Sequence, residues 1–204
     1  LVIVDNLLKE ETVKYENEQI TIIGSNDVLF EWSAFQTGVD YIVNRFKPEI
    51  KDLFVFATSA FENKPNEYIA KFISECTIHR QSINTVIGHF DSFNEEYHIL
   101  GVPQTDWMRT SIFSFSFDIL KCLNYKINNM NSENAIQFWF TNNNINTSKV
   151  SKNIAILIEN WIKNHDNYKA VSDLIVQKKT LSIINEKLLS ISLQDFKHIN
   201  IIKV

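Results

Sequence analysis

Cysteine is scarce. Cys76 and Cys122 are the only two in 204 residues, far apart and outside any metal-ligand spacing. That favours two reduced core thiols in a reducing compartment over a disulfide framework or a zinc site. Glycine is scarce too: Gly24, Gly38, Gly88 and Gly101 are scattered and match neither the dinucleotide nor the nucleoside-triphosphate loop. Ser59 lacks the glycine-flanked elbow of a hydrolase, and neither cysteine has a local activating signature, so these nucleophile classes are set aside. No apolar run approaches the ~20 residues of a membrane helix, and the first residues do not read as a signal peptide. Cytoplasmic residence is the expectation. Excess positive charge is also missing: the formal net charge is -4 and the pI about 5.7, which gives no overall basic field for nucleic acid.

What is present is an ordinary globular composition, 45% hydrophobic and 22% charged. The length suits one sizeable core, or a main domain with a smaller helical appendage. In DLFVFATSAF, the apolar run Leu53 to Ala57 reads as a strand buried on both faces. Helix-like patterns flank it, so a parallel sheet with crossover helices is the economical arrangement. Chemistry in such sheets lies beyond the carboxyl ends of the strands, here at Thr58, Ser59 and Ala60. Leu1 to Val4 is a short strand ending at Asp5 and Asn6, and Ile20 to Ile23 is a second. A chain opening directly on a buried strand is expected to be a fragment of a longer one.

From Val28 to Phe46 the apolar residues Trp32, Phe35, Val39, Ile42, Val43 and Phe46 take helical spacing, with Asn26 or Asp27 placed to cap the start. Gly38 inside that helix implies close approach to a neighbour. Pro65 opens a helix to about Ser74. Asn84 to Phe90 is a further strand with Asp91 and Ser92 at its exit, and Gly101 with Pro103 breaks the chain after a short strand. Thr105 to Ser111 reads as the polar start of a loop delivering an aromatic-rich helix. Beyond Asn128, helical patterns at about Ser132 to Phe140, Ser148 to Asn164 and Val171 to Leu189 make a helical carboxyl-terminal region, 128–204, after a sheet domain, 1–127.

His89 and Asp91 share a face by alternation and are candidates for acid and base work or for a metal. Glu31 with Trp32 can meet a sugar, although Trp32 also fits the core stripe. The order of VDN, SNDVLFEWSAFQTGVDYI, DLFVFATSAF, GHFDSF and DWMRTSIFSF resembles that of bacterial glycosyltransferases related to family two, which act in surface-polysaccharide assembly. The likeness spans about Leu1 to Asn124.

That resemblance implies an α/β, GT-A-like (Rossmann-like) fold with a mainly parallel sheet, a nucleotide-sugar donor, and a glycan or lipid-linked glycan acceptor. It leaves peripheral membrane contact open and expects no nucleic acid. Asp5 and Asn6 would face the nucleotide, Asn26 and Glu31 would border the donor pocket, and Thr58 and Ser59 would sit beside the diphosphate. Asp106 is the first choice for the base, with Asp91 next; Trp107 is an acceptor wall, and His89 lies nearby. The family's divalent cation, Mg or Mn, is disfavoured by Ser59 where a carboxylate is expected. Arg109, His89 or Arg80 would then supply positive charge for the departing diphosphate, Arg109 first. The family's first strand is expected to precede Leu1, in a longer chain. The alternative is a non-catalytic, degenerate module of the same fold.

Overall fold

A computed structural model describes residues 1–26, 28–60, 65–130, 134–168 and 171–204. The chain is mixed α/β. Its first sheet has β1 (Val2–Asp5) and β3 (Ile20–Gly24) side by side and parallel, with β2 (Val13–Asn17) antiparallel on the far edge of β3. The loop between β1 and β2 folds back over Gly24, where an added Cβ would lie 1.8 Å from the carbonyl oxygen of Lys9. Because backbone cannot yield there as a side chain tip can, Gly24→Ala is expected to cost about 1–3 kcal/mol, read as a lowered urea midpoint with an unchanged slope.

Helix α1 (Phe30–Phe46) follows. Asp27 lies outside the described residues; Asn26 takes the amide of Val28 on its Oδ1 at 3.3 Å, and Ser33 Oγ takes that of Leu29 at 2.8 Å. The apolar stripe buries Trp32, Phe35 and Val39. Gly38 faces β1, where a Cβ would meet Val4 at 3.3 Å, so the close approach expected of this glycine is to a neighbouring strand. One turn away, Phe35 stacks edge-on to Phe56 at 5.5 Å and Phe113 at 5.4 Å, which belong to the second sheet. One helix therefore covers both sheets.

The second sheet has the order β4-β6-β5-β9. Its members are β4 (Leu53–Ala57), β5 (Thr85–Ile99), β6 (Val102–Ser116) and β9 (Asn200–Lys203). β4 and β5 run antiparallel to β6, and only β9 is parallel to its neighbour, β5. The expected single, mainly parallel sheet is thus corrected to two mixed sheets. β4 is an edge strand, not a centre one. Phe54 and Phe56 point inward while Val55 is 54% exposed. The period-two signal was present but hidden, because the outward residues of the run are apolar as well.

A second correction concerns the segment Thr105 to Ser111, which is strand β6 and not a loop. β5 and β6, 15 residues each, form a hairpin closed at Leu100 and Gly101, both with positive φ, as a two-residue turn requires. Pro103 falls near the start of β6, a position proline tolerates. Pairing shifts between Gly88↔Phe113 and Phe90↔Met108, so Arg109 to Ile112 bulge from β5. Such bulges re-aim side chains.

Helix α2 (Asn66–Ile78) begins after Pro65 and packs Phe72 on Ile87 and Ile112, on one face of this sheet. The main core lies on the other face. α3 (Phe117–Cys122) continues β6 directly; α4 (Ala135–Trp139) leads into a small hairpin, β7 (Phe140–Thr141) and β8 (Asn144–Ile145). The helix pattern expected from Ser132 begins partly outside the described residues. α5 (Lys152–Asn164) and the 22-residue α6 (Asp173–Gln194) complete the helices. The 128–204 part includes strand β9 as well as helices, and its Ile154, Ile158, Leu181 and Ile184 share one apolar cluster with Phe54, Phe113 and Phe115. The thiols differ from expectation: Cys76 is half-buried and Cys122 is exposed rather than in the core.

Candidate functional site

A cleft of about 870 Å³ opens where α5 and α6 pass the bulged end of the second sheet, a volume in the range of small-molecule sites. Its floor comes from the sheet, with Thr58 and Ala60 just past β4, Asp91 to Phe93 on β5, and Trp107 and Arg109 to Ser111 on β6. Glu31 from the first turn of α1 closes one side. Leu157, Ile158, Trp161 and His165 of the α5 region and Lys179, Ser182, Glu186 and Lys187 of α6 form the opposing wall.

The sequence-derived residues divide into two groups. Glu31, Thr58, Asp91, Trp107 and Arg109 meet in this cleft although 78 positions separate the first from the last. Thr58 is pinned by its amide to the carbonyl of Ser111 at 3.0 Å. Asp91 is engaged on both oxygens: Arg109 Nε donates to Oδ2, and the ring of His89 meets Oδ1 at 3.2 Å. His89 stands behind Asp91, against the ring of Tyr68 at 5.4 Å, and does not line the cleft.

The remaining residues lie outside. Asp106 accepts from the Lys203 ammonium at 2.6 Å and is not part of the cleft wall. Ser59 and Arg80 are exposed and stand away from the cleft lining. Asp5 Oδ1 accepts the amide of Leu7 at 2.9 Å, and Asn6 donates to the carbonyl of Phe30 at 3.2 Å, next to Glu31. Asn26 is exposed before α1. Asp5, Asn6 and Asn26 therefore gather round the amino end of α1 without entering the cleft.

Trp107 is only 9% exposed, and the ammonium of Lys187 sits over its ring at 3.8 Å from the centroid. One face of the indole is thus already taken by a cation. The exposed aromatic wall is Trp161, stacked on His165 at 3.8 Å between ring centroids. Trp161 falls within the helical pattern Ser148 to Asn164 expected from the sequence, and nothing there marks it, or any residue of α6, as part of a site. The available signal was the string of polar residues, Gln177, Thr180, Ser182, Asn185 and Lys187, interleaved with the apolar residues that put α6 in the core. All five are buried.

The α6 wall is a hydrogen-bonded array. Glu31 accepts from Ser182 Oγ at 2.8 Å and from Lys179 Nζ at 3.3 Å. The Trp32 indole donates to the Ser182 carbonyl at 2.9 Å, which ties α1 to α6 beside the cleft. Glu186 Oε2 accepts from both the amide and the hydroxyl of Thr110, at 3.2 and 2.8 Å. Lys187, buried next to it, has its pKa lowered to about 8, chiefly because burial disfavours the charged ammonium.

These residues do not suit a divalent cation. Thr58, Ser59 and Ala60 offer no carboxylate at the end of β4, and both oxygens of Asp91 are held by Arg109 and His89. Among the described residues, no three His, Cys, Asp or Glu side chains gather as a metal site. Nor does any described helix have the length and apolarity to cross a membrane. The chain matches no family model, no curated protein and no solved structure.

Proposed function

We propose that this protein transfers a sugar from a nucleotide-sugar donor to a glycan acceptor, on a GT-A-like frame, in surface-polysaccharide assembly. The observation that carries the reading is the meeting of Glu31, Thr58, Asp91, Trp107 and Arg109 in one cleft. The cleft also offers carboxylates, cations and an exposed indole together, the groups that hold sugar hydroxyls, phosphates and sugar faces respectively.

In this reading the donor diphosphate lies beside Thr58 and draws Arg109 away from Asp91. That exchange frees a carboxylate oxygen in the cleft. The acceptor hydroxyl oxygen bonds to the anomeric carbon, the bond from that carbon to the diphosphate breaks, and Asp91 takes the hydroxyl proton. The charge left on the diphosphate is met by Arg109. Asp91 replaces Asp106 as the base because Asp106 lies outside the cleft, bound to Lys203. The second reading, a non-catalytic module, is favoured by the lack of a carboxylate at the Thr58 turn.

The test is incubation with a panel of nucleotide sugars, scoring release of the nucleoside diphosphate with water as acceptor. Release from at least one donor supports transfer chemistry; release from none favours the module. Arg109→Ala is expected to weaken binding of the nucleoside diphosphate about tenfold or more, since it removes a charge-assisted contact. Calorimetry with Mn and then with chelator is expected to give similar affinities. A tenfold loss in chelator, about 1.4 kcal/mol, would show a metal ligand that this site does not account for.

A further inference from the structure

Lys187 is out of place in a helix wall. Its side chain is 2% exposed, yet among the described residues its ammonium makes no hydrogen bond; it has only the Trp107 ring at 3.8 Å and Glu186 Oε1 at 3.9 Å. An ammonium carries three donors, and neither of these partners takes one in a hydrogen bond. Glu186 is already committed, through its other oxygen, to Thr110. The free donors belong to a residue that lines the cleft, beside Asp91 and Arg109. An oxygen-rich anion entering there would supply the missing acceptors.

We infer that Lys187 is the seat of a ligand phosphate, forming with Arg109 a two-cation clamp that takes the place of a divalent metal. This rests on the proposed transfer reaction only for naming the phosphate as that of the donor. The charged groups around Lys187 are Glu186 on its own helix, Asp91 on β5 and Arg109 on β6. Glu31 paired with Lys179, and His165 from the α5 side, line the same cleft. With the free ammonium titrating at about pH 8, a bound anion stabilises its charged form. Binding is therefore full below that pH and weakens as pH rises through it, until the raised pKa of the complex is passed.

The experiment is calorimetry of inorganic pyrophosphate in chelator, from pH 7 to pH 10, on the whole chain and on Lys187→Met. The ionisation of pyrophosphate is common to both proteins, so the ratio of their affinities isolates Lys187. The expected ratio is tenfold or more at pH 7, shrinking above pH 8. A ratio near one at pH 7, a ratio that ignores pH, or no binding by the unaltered chain would each overturn the inference. Should Lys187→Met not fold, Lys187→Arg decides: its guanidinium does not titrate in this range, so it should bind at pH 7 and lose the fall above pH 8. Retention of that fall would contradict the assignment. Pyrophosphate held through Lys187 with no donor consumed would sink the transferase reading alone. Donor turnover unaltered in Lys187→Met would sink the clamp alone.

Discussion

Asp91→Asn is expected to slow release of nucleoside diphosphate from the donor about a hundredfold or more, the usual loss for a general base. The fold should survive, because asparagine keeps the shape and can still meet His89 through its amide. Donor affinity is expected to hold or to rise slightly, since Arg109 loses the carboxylate that competes with the diphosphate for it. The paired control is Asp106→Asn. With Asp106 on Lys203 and outside the cleft, that change should leave turnover within a few-fold of the parent. Steady-state rates on the responsive donor check both. Equal losses at the two positions would mean that the fold, and not the base, had been altered.

Trp32→Ala is expected to be the most damaging single core change. The indole is fully buried, packs edge-on to Phe35 at 5.9 Å, and donates to the Ser182 carbonyl at 2.9 Å. Its removal should cost about 3–5 kcal/mol. The Ser182 carbonyl lies inside α6, where the helix ladder still supplies a donor, so the lost indole bond adds about 0.5–1.5 kcal/mol. Against the 5–15 kcal/mol that holds a typical domain together, the variant should be largely unfolded or close to it at 37 °C, as urea denaturation followed by fluorescence of the remaining tryptophans would show. The ligand should then lose its site as well, because the same bond ties α1 and its Glu31 to the α6 wall.

Elements with strong periodicity were legible in the sequence. The stripe Trp32, Phe35, Val39 marked α1, Pro65 marked the start of α2, and Gly38 signalled a close strand. Strand direction was not legible. An apolar run such as Leu53 to Ala57 has the same composition at a sheet edge as at its centre, and only pairing with β6 revealed that Val55 faces out. The polar residues of the β5–β6 hairpin have the composition of a loop, yet the strand carries them as a bulge into the cleft. Asp91 and Arg109 lie 18 positions apart and become neighbours only through that hairpin. The α6 wall was invisible for a different reason. Polar side chains on a core helix gain meaning from what they oppose, and Thr110 and Glu31 come from distant parts of the chain.

Thermal unfolding against nucleotide sugars, in chelator and again with Mn, tests the metal-free donor site most directly. A ligand that binds only the native state at about a hundred times its Kd adds about 2.7 kcal/mol. For a chain of this size that raises the melting temperature by roughly 5 °C or more. The account predicts such a rise for at least one donor, of equal size in chelator and in Mn, and reduced in Arg109→Ala. A rise seen only with Mn, or none for any donor, would contradict it.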